Sequence, residues 1–386
     1  MRALLTGMAL LALLAMAGPA RADTAAEPYA GITLEQLYDS NVQNTGNSDE
    51  VTRVTPRLGL LVDGPRLKLD ADYRIGFFEY AEGTVDNTIN HRAALVGKAA
   101  ATERLSFDTR MVLVIGSDPI LLDRPGLAIP QGGFDDFEGH VGMAYRATRR
   151  LTLDLSYLYR RSRFDLAGRE NPLAFDGDEH RVDGDAAYRL TRRLTLRILG
   201  RAQHFVSFGT ADTSLGDAGG GGAGLDYALG RSTVARAEGG PLVFSNGGAT
   251  WFALAQLQHR GERMRWTLLA LRDVYGGTSA AYAVWAESVQ LMGSFRLTRQ
   301  IDLRVRGAAY RNGPAPDLDW NVEGLVGRVD AGYSLFGNNA RFELYAEQRT
   351  QDAAGTFAFD NVHRTIVGVR LVAFAGADLL SLGDLP

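Results

Sequence analysis

Along most of the chain, apolar and polar residues alternate one for one, the period of a strand whose two faces meet different surroundings. Four stretches show it most cleanly. Leu67, Leu69, Ala71, Tyr73, Ile75 and Phe77 oppose Arg66, Lys68, Asp70, Asp72 and Arg74. Leu105, Phe107, Met111, Leu113 and Ile115 oppose Arg104, Ser106, Asp108 and Arg110. Leu194, Leu196, Ile198 and Gly200 oppose Arg193, Thr195, Arg197 and Arg201, and Ile301, Leu303, Val305 and Gly307 oppose Asp302, Arg304 and Arg306.

The alternation predicts eighteen strands, at 28–42, 51–62, 66–80, 88–100, 104–116, 135–147, 150–164, 179–190, 193–207, 220–229, 232–244, 249–260, 263–275, 282–297, 300–311, 320–336, 340–350 and 362–374. Between them one phrase recurs: an aromatic, one or two residues, a short Thr- and Arg-rich turn, then the next strand. It reads AYRATRRLTLDL at Ala144 to Leu155, AYRLTRRLTLRI at Ala187 to Ile198 and SFRLTRQIDLRV at Ser294 to Val305. Looser forms start at Asp226 and Gly332. A repeated hairpin with tight turns at one end and longer loops at the other predicts an all-β, up-and-down antiparallel barrel crossing a membrane. The glycine-rich stretches Gly219–Gly222 and Gly239–Pro241 alternate poorly. If that hairpin does not form, the count falls to sixteen. The even number puts both chain ends at the short-turn end, which in outer-membrane barrels is periplasmic.

Charge and aromatics separate a membrane barrel from a secreted soluble sandwich or propeller. Arg or Lys facing lipid at mid-bilayer costs ~2–4 kcal/mol, so the charged faces must line an interior. Tyr145, Tyr188, Tyr227, Phe295 and Tyr333 stand just before short turns. Phe77, Tyr80, Tyr157, Tyr159, Trp251, Tyr275, Tyr282, Trp285, Tyr310 and Trp320 cluster near the opposite strand ends. Two such belts are what the two interfaces of a bilayer select. Many apolar faces carry only Gly, Ala and one aromatic, too little for the continuous core of a sandwich.

The compartment follows from the N-terminus. Met1 and Arg2, the uncharged apolar run Leu4 to Ala17 and the Ala20-Arg21-Ala22 site read as a secretory signal over residues 1–22, with Asp23 as the first mature residue and 23–386 as a single barrel domain. No later run is long and apolar enough for a membrane helix. The chain has no Cys, which excludes thiolate metal sites and fits the periplasm or outer membrane of a Gram-negative cell, the outer membrane being the expectation for a barrel. The net charge of −4, more negative once Arg2 and Arg21 leave, gives no sign of a nucleic-acid partner.

No catalytic or metal-binding constellation is legible, and no cofactor is expected. His91, His140, His180, His204, His259 and His363 fall on separate strands without ligand spacing. The candidate functional residues are therefore the charges that alternation turns inward. As pore lining these are Arg66, Lys68, Arg74, Arg104, Arg110, Arg193, Arg197, Arg201, Arg263, Arg265, Arg304, Arg306 and Arg341. Arg53, Arg57, Arg150 and Arg160 fall on the same faces, interleaved with Asp70, Asp72, Asp108, Asp154, Asp183, Asp185, Asp302, Glu343 and Glu347. Each can be a wall residue held in a cross-strand ion pair. Together they bias the lumen toward anions, since inward Arg exceeds inward acid in this reading. Barrels of this strand number hold an aqueous lumen. The longest loop, Ser117 to Gly133, carries Pro119, Asp123, Arg124, Pro125 and Pro130 among Ile and Leu. It is expected either to fold inward as a constriction or to dock on a neighbour.

The N-terminal third resembles the outer-membrane β-barrel porin family associated with surface-polysaccharide loci. The residues that carry the likeness are Tyr38-Asp39-Ser40-Asn41-Val42, Asp49, Val54-x-Pro56-x-Leu58, Tyr80 and Asn90-His91. The resemblance implies an integral barrel and, in some members, export of exopolysaccharide. It transfers no active residues. It gives the first functional expectation, a passive conduit or secretion port for surface polysaccharide and not an enzyme. A small-solute porin with mild anion preference and a plugged structural or adhesive barrel are the alternatives. Expected partners are outer-membrane lipid, the barrel assembly machinery and periplasmic polysaccharide-export components. Val367 to Phe374 looks like the terminal assembly signal, yet a short extension, 375–386, follows it, and Phe374 falls on the same face as Arg370.

Overall fold

The computed structural model describes residues 24–42, 46–117, 133–165, 176–208, 214–245, 247–275, 284–314, 320–335, 339–355 and 361–375. Eighteen strands follow in order. The first six are β1 (Ala25–Asp39), β2 (Asp49–Asp63), β3 (Leu67–Tyr80), β4 (Thr88–Ala100), β5 (Leu105–Gly116) and β6 (Gly133–Arg146). Next come β7 (Leu151–Asp165), β8 (Asp176–Arg189), β9 (Leu194–Phe208), β10 (Ser214–Ala228), β11 (Thr233–Phe244) and β12 (Ala249–Arg260). The last six are β13 (Met264–Tyr275), β14 (Val284–Arg296), β15 (Ile301–Pro314), β16 (Trp320–Leu335), β17 (Ala340–Gly355) and β18 (Val362–Ala375). Each pairs antiparallel with its sequence neighbours, and β1 pairs with β18, which closes the barrel. Closure removes every sheet edge and satisfies the backbone within the wall. The glycine-rich hairpin is present as β10 and β11, so the count is eighteen.

The short turns share one mechanism. Thr148 accepts hydrogen bonds at Oγ1 from the amides of Arg150 (3.1 Å) and Leu151 (3.0 Å). Thr191 does the same for Arg193 and Leu194, and Thr298 for Gln300 and Ile301. Thr102 does it for Arg104 and Leu105, a fourth copy whose flanking residues hide the phrase. The hydroxyl stands in for the backbone acceptors that a tight turn leaves missing. That is why Thr recurs at this position.

The outer wall is apolar in the middle. Leu58, Ile198, Leu325, Val289 and Val367 are among its most exposed side chains. The belt at the short-turn end is built as expected, with Tyr145, Tyr188, Tyr227 and Tyr333 exposed. At the loop end Phe77, Tyr157 and Trp251 point outward. Three residues of that belt do not. Tyr80 is buried in an interior cluster with Leu37, Val42, Val51, Phe78, Tyr345 and Ile366. Tyr275 stacks beneath the Arg160 guanidinium, and Tyr310 covers Gly324 and donates to Gln351 (3.4 Å). All three follow the inward phase of their strands, and position near a strand end does not override phase.

The glycines of β10 and β11 mark a corner of the wall, where Arg201 of β9 reaches Asp273 of β13. A Cβ at Gly220 would run into the Pro241 carbonyl oxygen, and one at Gly240 into that of Gly221. Only glycine permits this approach. The space inside the corner is filled by Ala218, Leu242 and Phe244 from these two strands and by Phe205, Phe252 and Val274 from β9, β12 and β13.

At the seam, Glu35 faces Arg370 and Gly31 faces Phe374 in unbroken register. Phe374 therefore turns inward, where Arg57 lies over its ring at 5.3 Å. The register does not shift near the C-terminus.

Candidate functional site in the barrel lumen

The inward faces carry a nearly continuous ion-pair lattice. Arg341 bonds Asp302 (2.6 Å) and Glu343 (2.5 Å). Arg370 joins Glu343 (3.2 Å) to Glu35 (2.9 Å), and Arg53 approaches the other oxygen of Glu35 at 3.5 Å. This relay runs from β15 through β17, β18 and β1 to β2, across the closing seam. Deeper along the same wall Arg328 holds Asp330 (2.6 Å) and Glu347 (3.3 Å). On the opposite wall Arg160 bridges Glu138 (2.6 Å) and Glu179 (3.2 Å), and Arg197 joins Asp185 to Asp226. A guanidinium has five donors, so one Arg can satisfy carboxylates on two neighbouring strands.

One pairing spans the interior. Asp273 on β13 receives Arg201 from β9 (2.6 Å) and Arg181 from β8 (3.4 Å). Gln203 on β9 donates to the Val274 carbonyl (3.3 Å). Three strands separate β9 from β13, and the side-chain-free inward positions Gly220, Gly222, Gly224 and Gly240 open the path between them.

Among the described residues, these charges line two lumenal cavities. The larger, about 960 Å³, lies toward β1–β4, with Arg57, Arg74 and Arg92 on one side and Arg263, Arg265 and Arg304 on the other. The second, about 630 Å³, lies toward β5–β13 and takes Arg110, Asp154, Arg197, Arg201 and Asp273.

The expected pore-lining residues divide into two groups. Lys68, Arg74, Arg110, Arg197, Arg201, Arg265, Arg304, Arg306 and Arg341 occupy inward strand positions, in phase with the buried charges Asp70, Asp72 and Glu343. Arg66, Arg104, Arg193 and Arg263 instead sit in the short turns, exposed at the rim, because each of their strands begins one residue later than the alternation suggests. Within the first group Arg197, Arg201 and Arg341 are committed to carboxylates. The alternation reading also missed inward charges. Arg92, Arg181, Arg236, Arg328, Arg349, Arg364 and Arg370 face in, as do Glu35, Asp39, Glu138, Glu179, Asp226, Glu238, Asp273 and Asp330. The inward acids now offset much of the arginine excess that the sequence suggested. The loop residues Pro119, Asp123, Arg124, Pro125 and Pro130 lie outside the described residues.

The residues of the N-terminal motif have structural work. Asp39 accepts from Arg364 Nε and from the Asn41 amide (3.0 Å). The Asn41 side chain donates to the His363 carbonyl and accepts from the Gly46 amide. Asp49 accepts from the Glu82 amide (2.9 Å) and from Thr84 Oγ1 (2.6 Å), and Asn90 from the Ser117 amide (3.0 Å). The motif ties the loop-end turns to the wall. The histidines are mostly girdle residues: His91 pairs with Tyr73 and His180 with Tyr157 on the outer face, while His140 faces Asp108 inside (3.5 Å). Among the described residues no cluster of three or more His, Asp or Glu is placed to hold a metal ion.

No family model matches the chain, and no curated protein matches it. Solved structures from Pseudomonas aeruginosa do resemble it loosely. OccK3 (OpdO) aligns at a TM-score of 0.43 with 14% identity, covering 90% of this chain and 95% of that one. OccK2 (OpdF) in complex with glucuronate aligns at 0.46 with 12% identity, covering 90% and 98%. The outer membrane protein opdK aligns at 0.44 with 11% identity, covering 90% and 98%. The fold itself rests on this chain's own strand register. None of these comparisons supports the polysaccharide-locus resemblance.

Proposed function

We propose that the chain is an outer-membrane channel that passes small hydrophilic solutes. The observation that carries this reading is the pairing of an apolar outer wall with a closed, charge-lined interior holding cavities of about 960 and 630 Å³. An apolar exterior suits lipid, and a charged interior needs water. The Asp273 bridges and the two apolar clusters inside the loop end divide the lumen. A divided lumen favours solutes the size of one or two sugar rings over an extended polymer. This puts the small-solute reading ahead of polysaccharide export. With the short turns periplasmic, the longer loops face outward from the cell.

Liposome swelling tests it. Vesicles carrying the purified full chain should swell in a monosaccharide or amino acid and stay closed to a long oligosaccharide. Equal passage of the oligosaccharide would return the secretion-port reading. No swelling in any solute would favour the plugged structural barrel.

A further inference from the structure

Among the lumenal charges, one basic row has too few acids to match it. Arg57 on β2 faces Arg74 on β3, and Arg74 faces Arg92 on β4, each in direct cross-strand register. Like charges directly opposite each other destabilise a sheet. One carboxylate, Asp72, serves all three. It takes Arg57 Nε, takes Arg74 Nε at 2.6 Å, and lies 3.9 Å from Arg92. The second acid nearby, Asp70, is engaged by the Tyr29 hydroxyl (2.9 Å). Arg110 on β5 extends the row within electrostatic reach of Arg92 and faces His140 on β6.

Among the described residues neither the Arg92 nor the Arg110 guanidinium makes a hydrogen bond, and the Arg92 side chain keeps 32% of its exposure to the lumen. Beside Arg92, the buried Asn90 spends its side-chain oxygen on Ser117 and leaves Nδ2 without an acceptor. The row lines both cavities: Arg74, Asn90 and Arg92 face the larger, Arg110 the smaller. Elsewhere in the lumen arginines such as Arg160, Arg197 and Arg201 each contact two carboxylates.

We infer that Arg74, Arg92 and Arg110 form a binding station for a small oxyanion, a carboxylate or a phosphate, within the lumen. Planar guanidinium forks take either group through paired N–H···O bonds. The ligand supplies the negative charge that the row lacks, and Arg110 hands it from one cavity to the next. The route of access rests on the channel reading, but binding does not.

The test is titration calorimetry on the detergent-solubilised, full-length barrel at low salt, with inorganic phosphate in one arm and succinate in the other. Saturable binding is expected in at least one arm, and the arm that saturates identifies the chemistry. In Arg92→Gln/Arg110→Gln the affinity should fall at least tenfold. Arg311→Gln removes an equal kind of charge from the outer face, where Arg311 pairs with Glu323, and should change affinity less than twofold. Should the double Gln variant not fold, Arg92→Lys/Arg110→Lys keeps the charge without the fork and should still lose at least threefold. No saturable heat in either arm overturns the inference. So does equal affinity in the wild type and the folded double variant. Neither result touches the swelling experiment, so the two readings fail separately.

Discussion

Asp39 and Arg364 stand 325 residues apart in sequence and meet at the loop end of the closing seam, where Arg364 Nε lies 2.9 and 3.0 Å from the two carboxylate oxygens. Their side chains are 1% and 3% exposed. Breaking a pair this buried leaves an uncompensated charge, at a cost of about 3–5 kcal/mol. Arg364→Met should therefore lower the temperature at which the barrel unfolds in SDS, read as the shift from compact to extended migration on a gel. Asp39→Leu/Arg364→Met together should recover part of the loss. An unchanged transition in the single variant would mean that the pair does not hold the seam.

The turn hydroxyls give a smaller and more regular effect. Thr148→Ala and Thr191→Ala each remove an acceptor shared by two amides. Water can reach these turns, so each should cost only about 0.5–1 kcal/mol, near the net worth of one hydrogen bond. Thr→Ser should restore it. Urea titration of the reconstituted barrel measures this, and a Ser variant no better than Ala would show that the hydroxyl is idle.

The inward and outward facing of residues can be tested directly on β2. Leu58 lies outward at 64% exposure, and Thr55 lies inward along the larger cavity. Leu58→Arg puts a charge in the apolar band at ~2–4 kcal/mol and should sharply reduce the folded protein recovered from outer membranes. Thr55→Arg should be recovered near wild-type yield. The reverse order would invert the assignment of inside and outside.

Much of this was legible in the chain. Eighteen strands and their facing follow from period-two alternation, because a residue such as Arg197 cannot change face without moving Leu196 and Ile198 with it. What alternation cannot supply is partnership. It puts Arg201 inside, but Asp273, its partner across the interior, lies 72 positions away and becomes adjacent only because the glycine corner folds the wall. Tyr80, Tyr275 and Tyr310 depart from the belt for a related reason: nearness to a strand end does not set the face, and phase does. Arg92 is hard to see in the sequence because its inward face carries Ala94, Val96 and Lys98 beside Asn90, without a run of charges. The turn arginines look like wall residues in the sequence because Thr-Arg-Arg runs into the strand without a break in polarity.

Topology follows from the same geometry. Glu82 lies exposed in the β3–β4 turn at the loop end, and Arg149 lies exposed in the β6–β7 turn at the other. Single cysteines at these positions, in a chain that has none of its own, can be probed on intact cells with a membrane-impermeant thiol reagent. Glu82→Cys should label, and Arg149→Cys should label only after the cells are broken. Labelling of Arg149→Cys alone on intact cells would reverse the orientation.

The central claim is that water and small ions cross the membrane through this barrel. Planar bilayer recording of the purified full chain tests it most directly. The account predicts discrete, ohmic conductance steps in potassium chloride, reduced when phosphate or succinate occupies the arginine row. A protein that shows the heat-dependent migration of a closed barrel, inserts into the bilayer and passes no current would contradict it.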